Sequence, residues 1–140
     1  MPQLAITYEE IIACHPVLSQ LRPELSHAQL LEYYEQMKLE GFKLAYLTHQ
    51  QDVVAVAGFR ILTNLAKGKY LYLDDLVTLD SVRSQGHGET LLNWLIEHAK
   101  SQGCKAFSLD SSTKRHRAHK FYFKQGFHIQ GYHFTQKLKD

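Results

Sequence analysis

The chain has 140 residues, 44% hydrophobic, 11% aromatic and 21% charged, with 3 Pro, 8 Gly and a formal net charge of +2. That composition supplies one real core and excludes disordered, collagen-like and low-complexity classes, so a single domain over residues 1–140 is expected. The charge is too small to imply a nucleic-acid or membrane protein by itself, and no run approaches the ~18 apolar residues of a membrane span.

The first residues, MPQLAITYEE, lack the basic start and apolar stretch of a signal peptide. Cys14 and Cys104 form no C-x-x-C pair and read as reduced thiols. A cytoplasmic setting is the expectation.

Gln3 to Thr7 alternates like a short strand. Thr7 and Glu10 then have capping-box spacing at the head of a helix that turns Ile11, Ile12 and Leu18 inward, with Pro16 bending or restarting it. Ser26 and Gln29 repeat that spacing before a second helix, whose stripe is Leu30, Leu31, Tyr34 and Met37 and whose stop is Gly41. Strands follow at Phe42–His49 and Val53–Thr63 around a Gln50-Gln51-Asp52 turn, and a third at Tyr70–Leu79. Gly86 to Gln102 reads as a helix with Leu91, Leu92, Leu95, Ile96 and Ala99 on one side. Lys105–Leu109 is a strand, and Ser111, Ser112 and Thr113 can cap a helix from Lys114 to Gln125. Two short strands around Gly131 close the chain. The predicted order is β-α-α-β-β-β-α-β-α-β-β, an α/β (α+β) fold with a single mixed, mostly antiparallel sheet and helices on both faces.

Two segments carry chemistry. In Leu76-Val77-Thr78-Leu79-Asp80-Ser81-Val82-Arg83-Ser84-Gln85-Gly86-His87-Gly88-Glu89-Thr90-Leu91, a strand enters an Arg-containing turn, two close glycines and a helix start. Free amides, a helix dipole and Arg83 together suit a phosphate site, although taken alone Gly86 and Gly88 could simply shape a tight turn. A dinucleotide fingerprint would need a glycine where Leu91 stands, and a P-loop needs Gly-Lys-Ser/Thr. The second segment, Ala118-His119-Lys120-Phe121-Tyr122-Phe123-Lys124-Gln125-Gly126-Phe127, puts Ala118, Phe121 and Tyr122 on one helical stripe. Taken alone, Tyr122 reads as a core aromatic.

Arg83-x-x-Gly86-x-Gly88 followed by Ala118-x-x-Phe121-Tyr122-x-x-x-Gly126-Phe127 resembles the GNAT superfamily of acyl-CoA-dependent N-acyltransferases, over essentially the whole chain. The first segment is similar to that family's Q/R-x-x-G-x-G/A acetyl-CoA loop and the second to its N-x-x-A-x-x-F/L-Y-x-x-x-G-F helix. Arg115 stands where the family often has Asn, and could contact a cofactor phosphate instead.

The resemblance implies an acyl-CoA N-acyltransferase fold whose central strands splay, one ending at Leu79 and the other at Leu109. The donor, acetyl-CoA, would lay its pantetheine arm along Leu76, Val77 and Thr78. Its pyrophosphate would sit on the amides of Ser84, Gln85, Gly86, His87, Gly88 and Glu89, with Arg83 beside it. Arg115, Ala118, Phe121 and Tyr122 would complete the donor site. The acceptor would be a primary amine and the activity an acetyl transfer by direct attack on the thioester.

An amine attacks only when neutral, so a proton acceptor is needed. Asp74 and Asp75 interrupt an apolar strand, and strict alternation sends them to opposite faces unless a bulge intervenes. The family pattern favours an acid at Asp74; both acids could instead be strand-end residues facing solvent or a buried Arg. The Val77 amide, freed if the strand bulges there, is the candidate oxyanion donor. Tyr122 matches the family's position for the acid that protonates the thiolate.

His116 and His119 lack a third ligand, and no metal is expected. Five basic residues between Lys114 and Lys124 suggest a local anion site rather than a nucleic-acid surface. Tyr8, Tyr33, Tyr34, Tyr132 and Phe134 are candidate walls for the acceptor. A homodimer is compatible with the family. The alternative reading is a non-catalytic acyl-CoA-binding or partner-binding module on the same fold.

Overall fold

The computed structural model describes residues 1–139. The chain forms two compact units, Met1–Leu109 and the segment from Asp110 onward.

The first unit holds a five-stranded sheet in sequence order: β1 (Gln3–Leu4), β2 (Lys43–His49), β3 (Asp52–Asn64), β4 (Gly68–Thr78) and β5 (Ala106–Leu109). The first four are antiparallel neighbours, and β5 runs parallel to β4. The sheet is therefore mixed and mostly antiparallel, as expected. Gln50 and Gln51 both take positive φ, 53° and 74°, in the two-residue turn between paired His49 and Asp52. That is the backbone a tight hairpin needs to match strand twist.

Helices α1 (Tyr8–Ala13), α2 (His15–Leu21), α3 (His27–Lys38) and α4 (His87–Ser101) belong to this unit. Both capping boxes form: Thr7 with Glu10 on α1, and Ser26 with Gln29 on α3. The predicted first helix is two helices. Cys14 ends α1 and starts α2, and Pro16 lies in the first turn of α2, where its missing N–H costs nothing. Gly41, at φ 87°, turns the chain after α3 so that the Phe42 N–H donates to the Met37 carbonyl at 3.1 Å.

Alternation along β3 divides the core. Val56 packs with Ile11, Cys14, Val17, Leu18, Leu30, Phe42 and Leu44 beneath α1–α3. Phe59 faces the other way, toward α4, its ring 5.7 Å from that of His98. Leu91, Leu92 and Leu95 of α4 are fully buried, which is the amphipathic stripe read from the sequence. Burial pushes the Cys14 thiol up to about 12, so it is a packed, unreactive group.

The second unit contains α5 (His116–Lys124), with Gly126 at φ 92° after it. Two expectations are corrected here. The hydroxyls of Ser111, Ser112 and Thr113 do not cap this helix. Arg115 is the N-cap residue without a side-chain bond, and Ser112 Oγ instead accepts from the Lys114 N–H at 3.3 Å. Nor does any strand form around Gly131 among the described residues. Ile129, Tyr132 and Phe134 are 70%, 86% and 91% exposed, so no apolar face is buried to hold a lone hairpin.

Candidate active site

The open edge of β4 is the first element of the site. β5 pairs with β4 only from Tyr70 to Leu73, so Asp74 to Thr78 have no strand neighbour on that side among the described residues. β5 ends at Leu109 with all its residues paired, so β4 runs on alone toward Leu79. The Leu79 N–H donates to the Val54 carbonyl at 2.8 Å, and Thr78 and Val77 pair with Ala55 and Val56. Peptide groups alternate between the two edges of an antiparallel ladder. Val77 therefore faces β3, whereas Leu76 and Thr78 face the open edge. The Val77 amide is thus not freed; the bulge falls three residues earlier. The Thr78 carbonyl already accepts from Gln20 Nε2 at 2.8 Å.

Beyond β4 the chain makes a short 3-10 turn, Asp80–Val82, and reaches α4 through Arg83 to Gly86. Ser84 and Gly86 both adopt left-handed backbone, φ 70° and 82°. Gly86 caps α4 without a side-chain bond, which leaves the first-turn amides of His87, Gly88 and Glu89 without intrahelical partners. Thr90 donates its hydroxyl to the Gly86 carbonyl at 3.0 Å and so secures the turn. The Arg83 guanidinium pairs with Asp80 in the same turn. His87 is half-buried against the His49 ring, and its buried Nε2 has no hydrogen-bond partner among the described residues. Orphan amides, a buried nitrogen without a partner and an open strand edge suit a pyrophosphate-bearing ligand such as an acyl-CoA.

The acidic pair is the second element. Gly58 pairs with Asp75 but Phe59 pairs with Leu73, so Asp74 is the extra residue of a β-bulge. The bulge resolves the alternation problem: Asp74 and Asp75 line the same cavity, of about 500 Å³, under α2 and α3. Each acid has an Arg partner. Arg60 Nε and an Arg60 terminal nitrogen hold the two Asp74 oxygens at 3.2 and 3.1 Å, and Arg22 reaches Asp75 at 2.8 Å. Burial raises the Asp74 pKa, and the Arg60 guanidinium opposes the rise without cancelling it.

Tyr33 and Tyr34, two of the candidate acceptor walls, line this cavity together with Phe42 and Tyr72. Tyr8 does not; its hydroxyl bonds to Glu35 on α3. Sequence reasoning missed Arg22, Glu24 and Arg60. Arg60 was the readable one, a lone cation within the apolar run Val53–Thr63.

In the second unit, Ala118, Phe121 and Tyr122 share α5 with Arg115 at its start. Tyr122 is 9% exposed, its ring edge-on to Phe121 and Phe127 at 5.4 and 5.7 Å. His119 bonds through a ring nitrogen to the Ser112 carbonyl at 2.7 Å, and its ring lies 5.9 Å from that of His116. Tyr132 and Phe134 are exposed.

The fold matches that of solved acetyltransferases. The aminoglycoside N-acetyltransferase AAC(6')-Iy in complex with CoA superposes with a TM-score of 0.84 at 14% identity, covering 100% of this chain and 96% of that one. In sequence, the chain matches the acetyltransferase (GNAT) family over residues 5–127 and belongs to that family. It is 34% identical over 132 residues, 93% of each chain, to the uncharacterized N-acetyltransferase YhdJ of Bacillus subtilis strain 168. A shorter match, 35% identical over 66 residues, relates 47% of this chain to 43% of the aminoalkylphosphonate N-acetyltransferase of Salmonella typhimurium strain LT2. The protein is an N-acetyltransferase.

Proposed function

We propose that this N-acetyltransferase uses acetyl-CoA as donor and acetylates a primary amine held in the cavity beside Asp74 and Asp75. The observation that carries the reading is the Asp74 bulge, which puts two carboxylates on one cavity wall just before an open strand edge. In this reading the two units serve one catalytic domain. The backbone of Leu76, Val77 and Thr78 orients the donor's arm. The amides from Ser84 through Gln85, Gly86, His87 and Gly88 to Glu89 receive its phosphates, with Arg83 and Arg115 supplying positive charge and Ala118 and Phe121 an apolar contact. Acetyl-CoA supplies the thioester whose acetyl group is transferred.

An ammonium entering the cavity is attracted by the two carboxylates and must lose a proton before it can attack. Asp74 takes that proton, directly or through water; its raised pKa brings it nearer the range where a base works at neutral pH. Asp75 holds the ammonium and its Arg22 partner. Negative charge developing on the carbonyl oxygen meets the amide of Leu76 or Thr78, the two that face the open edge. Tyr122 supplies the proton that neutralises the departing thiolate.

No described helix is long and apolar enough to cross a membrane. With two unpaired thiols, Cys14 and Cys104, a cytoplasmic site of action fits the reading.

The test is to incubate the protein with acetyl-CoA and a pool of primary amines, following thiol release and identifying acetylated amines by mass spectrometry. Amine-dependent thiol release supports the reading. Calorimetric binding of coenzyme A without transfer to any amine would support a non-catalytic acyl-CoA-binding module.

A further inference from the structure

We infer that the acceptor of this protein is a primary amine on an apolar or aromatic body that carries no carboxylate or phosphonate, because the cavity beside the acidic pair combines aromatic walls with cations already held by carboxylates. The inference rests on the N-acetyltransferase reading and deepens it to a substrate class.

The walls come first. Tyr33, Tyr34, Phe42 and Tyr72 turn aromatic surface on the cavity, and leucines and Met37 supply half of the remainder. A volume of about 500 Å³ suits a small molecule. Such walls reward an apolar body, and Asp74, Asp75 and Glu24 are there to receive an ammonium.

The charges decide the head group. Among the described residues, Arg22 is the only cation lining the cavity, and Asp75 holds it at 2.8 Å. Arg60, behind Asp74, is held by that acid and by Glu40 at 2.9 Å. An anionic group on the acceptor would have to displace one of these carboxylates or lie unpaired beside Asp74, Asp75 and Glu24. Like charges brought together in a partly desolvated site are strongly disfavoured. A single ammonium has the opposite experience: it meets acids at its charge and aromatic faces along its body. This separates the chain from the relative whose name specifies aminoalkylphosphonates.

The test uses a matched pair: 2-phenylethylamine and phenylalanine (the same body with a carboxylate). Thiol release from acetyl-CoA gives kcat/KM for each, and calorimetry on the protein without donor gives binding of 2-phenylethylamine. The expected result is a kcat/KM for 2-phenylethylamine at least about tenfold above that for phenylalanine. Tyr33→Ala, on the half-exposed outer part of α3, should raise KM for 2-phenylethylamine several-fold and leave kcat near the parent value. Asp75→Asn should release Arg22 and narrow the ratio between 2-phenylethylamine and phenylalanine, whatever it does to the absolute rates. Parity or preference for phenylalanine overturns the inference and leaves the acetyltransferase reading intact. Binding of 2-phenylethylamine with no thiol release for any amine supports the inferred pocket and overturns the catalytic reading. If 2-phenylethylamine neither binds nor reacts, the inference is wrong.

Discussion

Asp74 lives under opposed influences: burial favours its neutral form, and the Arg60 guanidinium favours its charged form. Burial prevails, so its pKa lies above the ordinary carboxylate value of 3.8. A base must be ionised to accept a proton. Activity should therefore fall as pH drops through that raised pKa and be retained above it. Asp74→Asn should remove this acid limb and lower kcat by roughly 10²–10⁴, the usual worth of a positioned base. A pH–rate profile unchanged from pH 5 to 9 would move the role to Asp75 or to water. At Tyr122, replacement by Phe keeps the buried ring and removes only the hydroxyl. It should cut kcat by roughly 10²–10⁴ while calorimetric affinity for coenzyme A stays near the parent value. An unchanged kcat would take Tyr122 out of the mechanism.

Between elements, the close contact of β3 with Phe42 is the most exposed to a single change. A Cβ at Gly58 would lie 2.7 Å from two ring atoms of Phe42. That ring is buried, edge-on to Tyr34 and stacked by the Arg60 guanidinium at 5.6 Å, so it has little freedom to move away. Gly58→Ala should cost about 1–3 kcal/mol in denaturant unfolding. Because Phe42 also lines the cavity, the same change should raise the acceptor KM. Gly131→Ala, where a Cβ meets nothing within 4 Å, is the control and should leave both values unchanged. A second tie joins α1 to the sheet: Glu10 accepts from the Tyr46 hydroxyl at 2.5 Å as well as from the Thr7 and Ile6 amides. These bonds, led by that from Tyr46, hold the Glu10 pKa down to about 2.

For the molecule as a whole, donor binding is a statement about stability. A ligand that binds only the folded chain at about 100 times its Kd adds about 2.7 kcal/mol. For a chain of this size that raises Tm by roughly 5–11 °C. Coenzyme A should produce such a shift, and adenosine, lacking the pyrophosphate, a much smaller one. Equal shifts from the two would remove the glycine turn and the start of α4 from donor recognition.

Much of this architecture is written in local pattern. The capping boxes at Thr7 and Ser26, the stops at Gly41 and Gly126 and the stripe of α4 depend on residues within a turn or two of one another, where spacing alone sets the geometry. The loop from Arg83 to Gly88 was legible for the same reason. The sequence also raised the question of the two adjacent acids without answering it. Only the pairing of β3 with β4 made Asp74 the extra residue of a bulge and turned both carboxylates to one wall, since register is a property of two strands and not of either. Arg22 and Arg60 joined the site by contacts across 53 and 14 positions, which no local periodicity encodes. The strands expected around Gly131 failed for the converse reason: alternation promises a strand, but tertiary burial has to hold it, and Ile129, Tyr132 and Phe134 bury almost nothing.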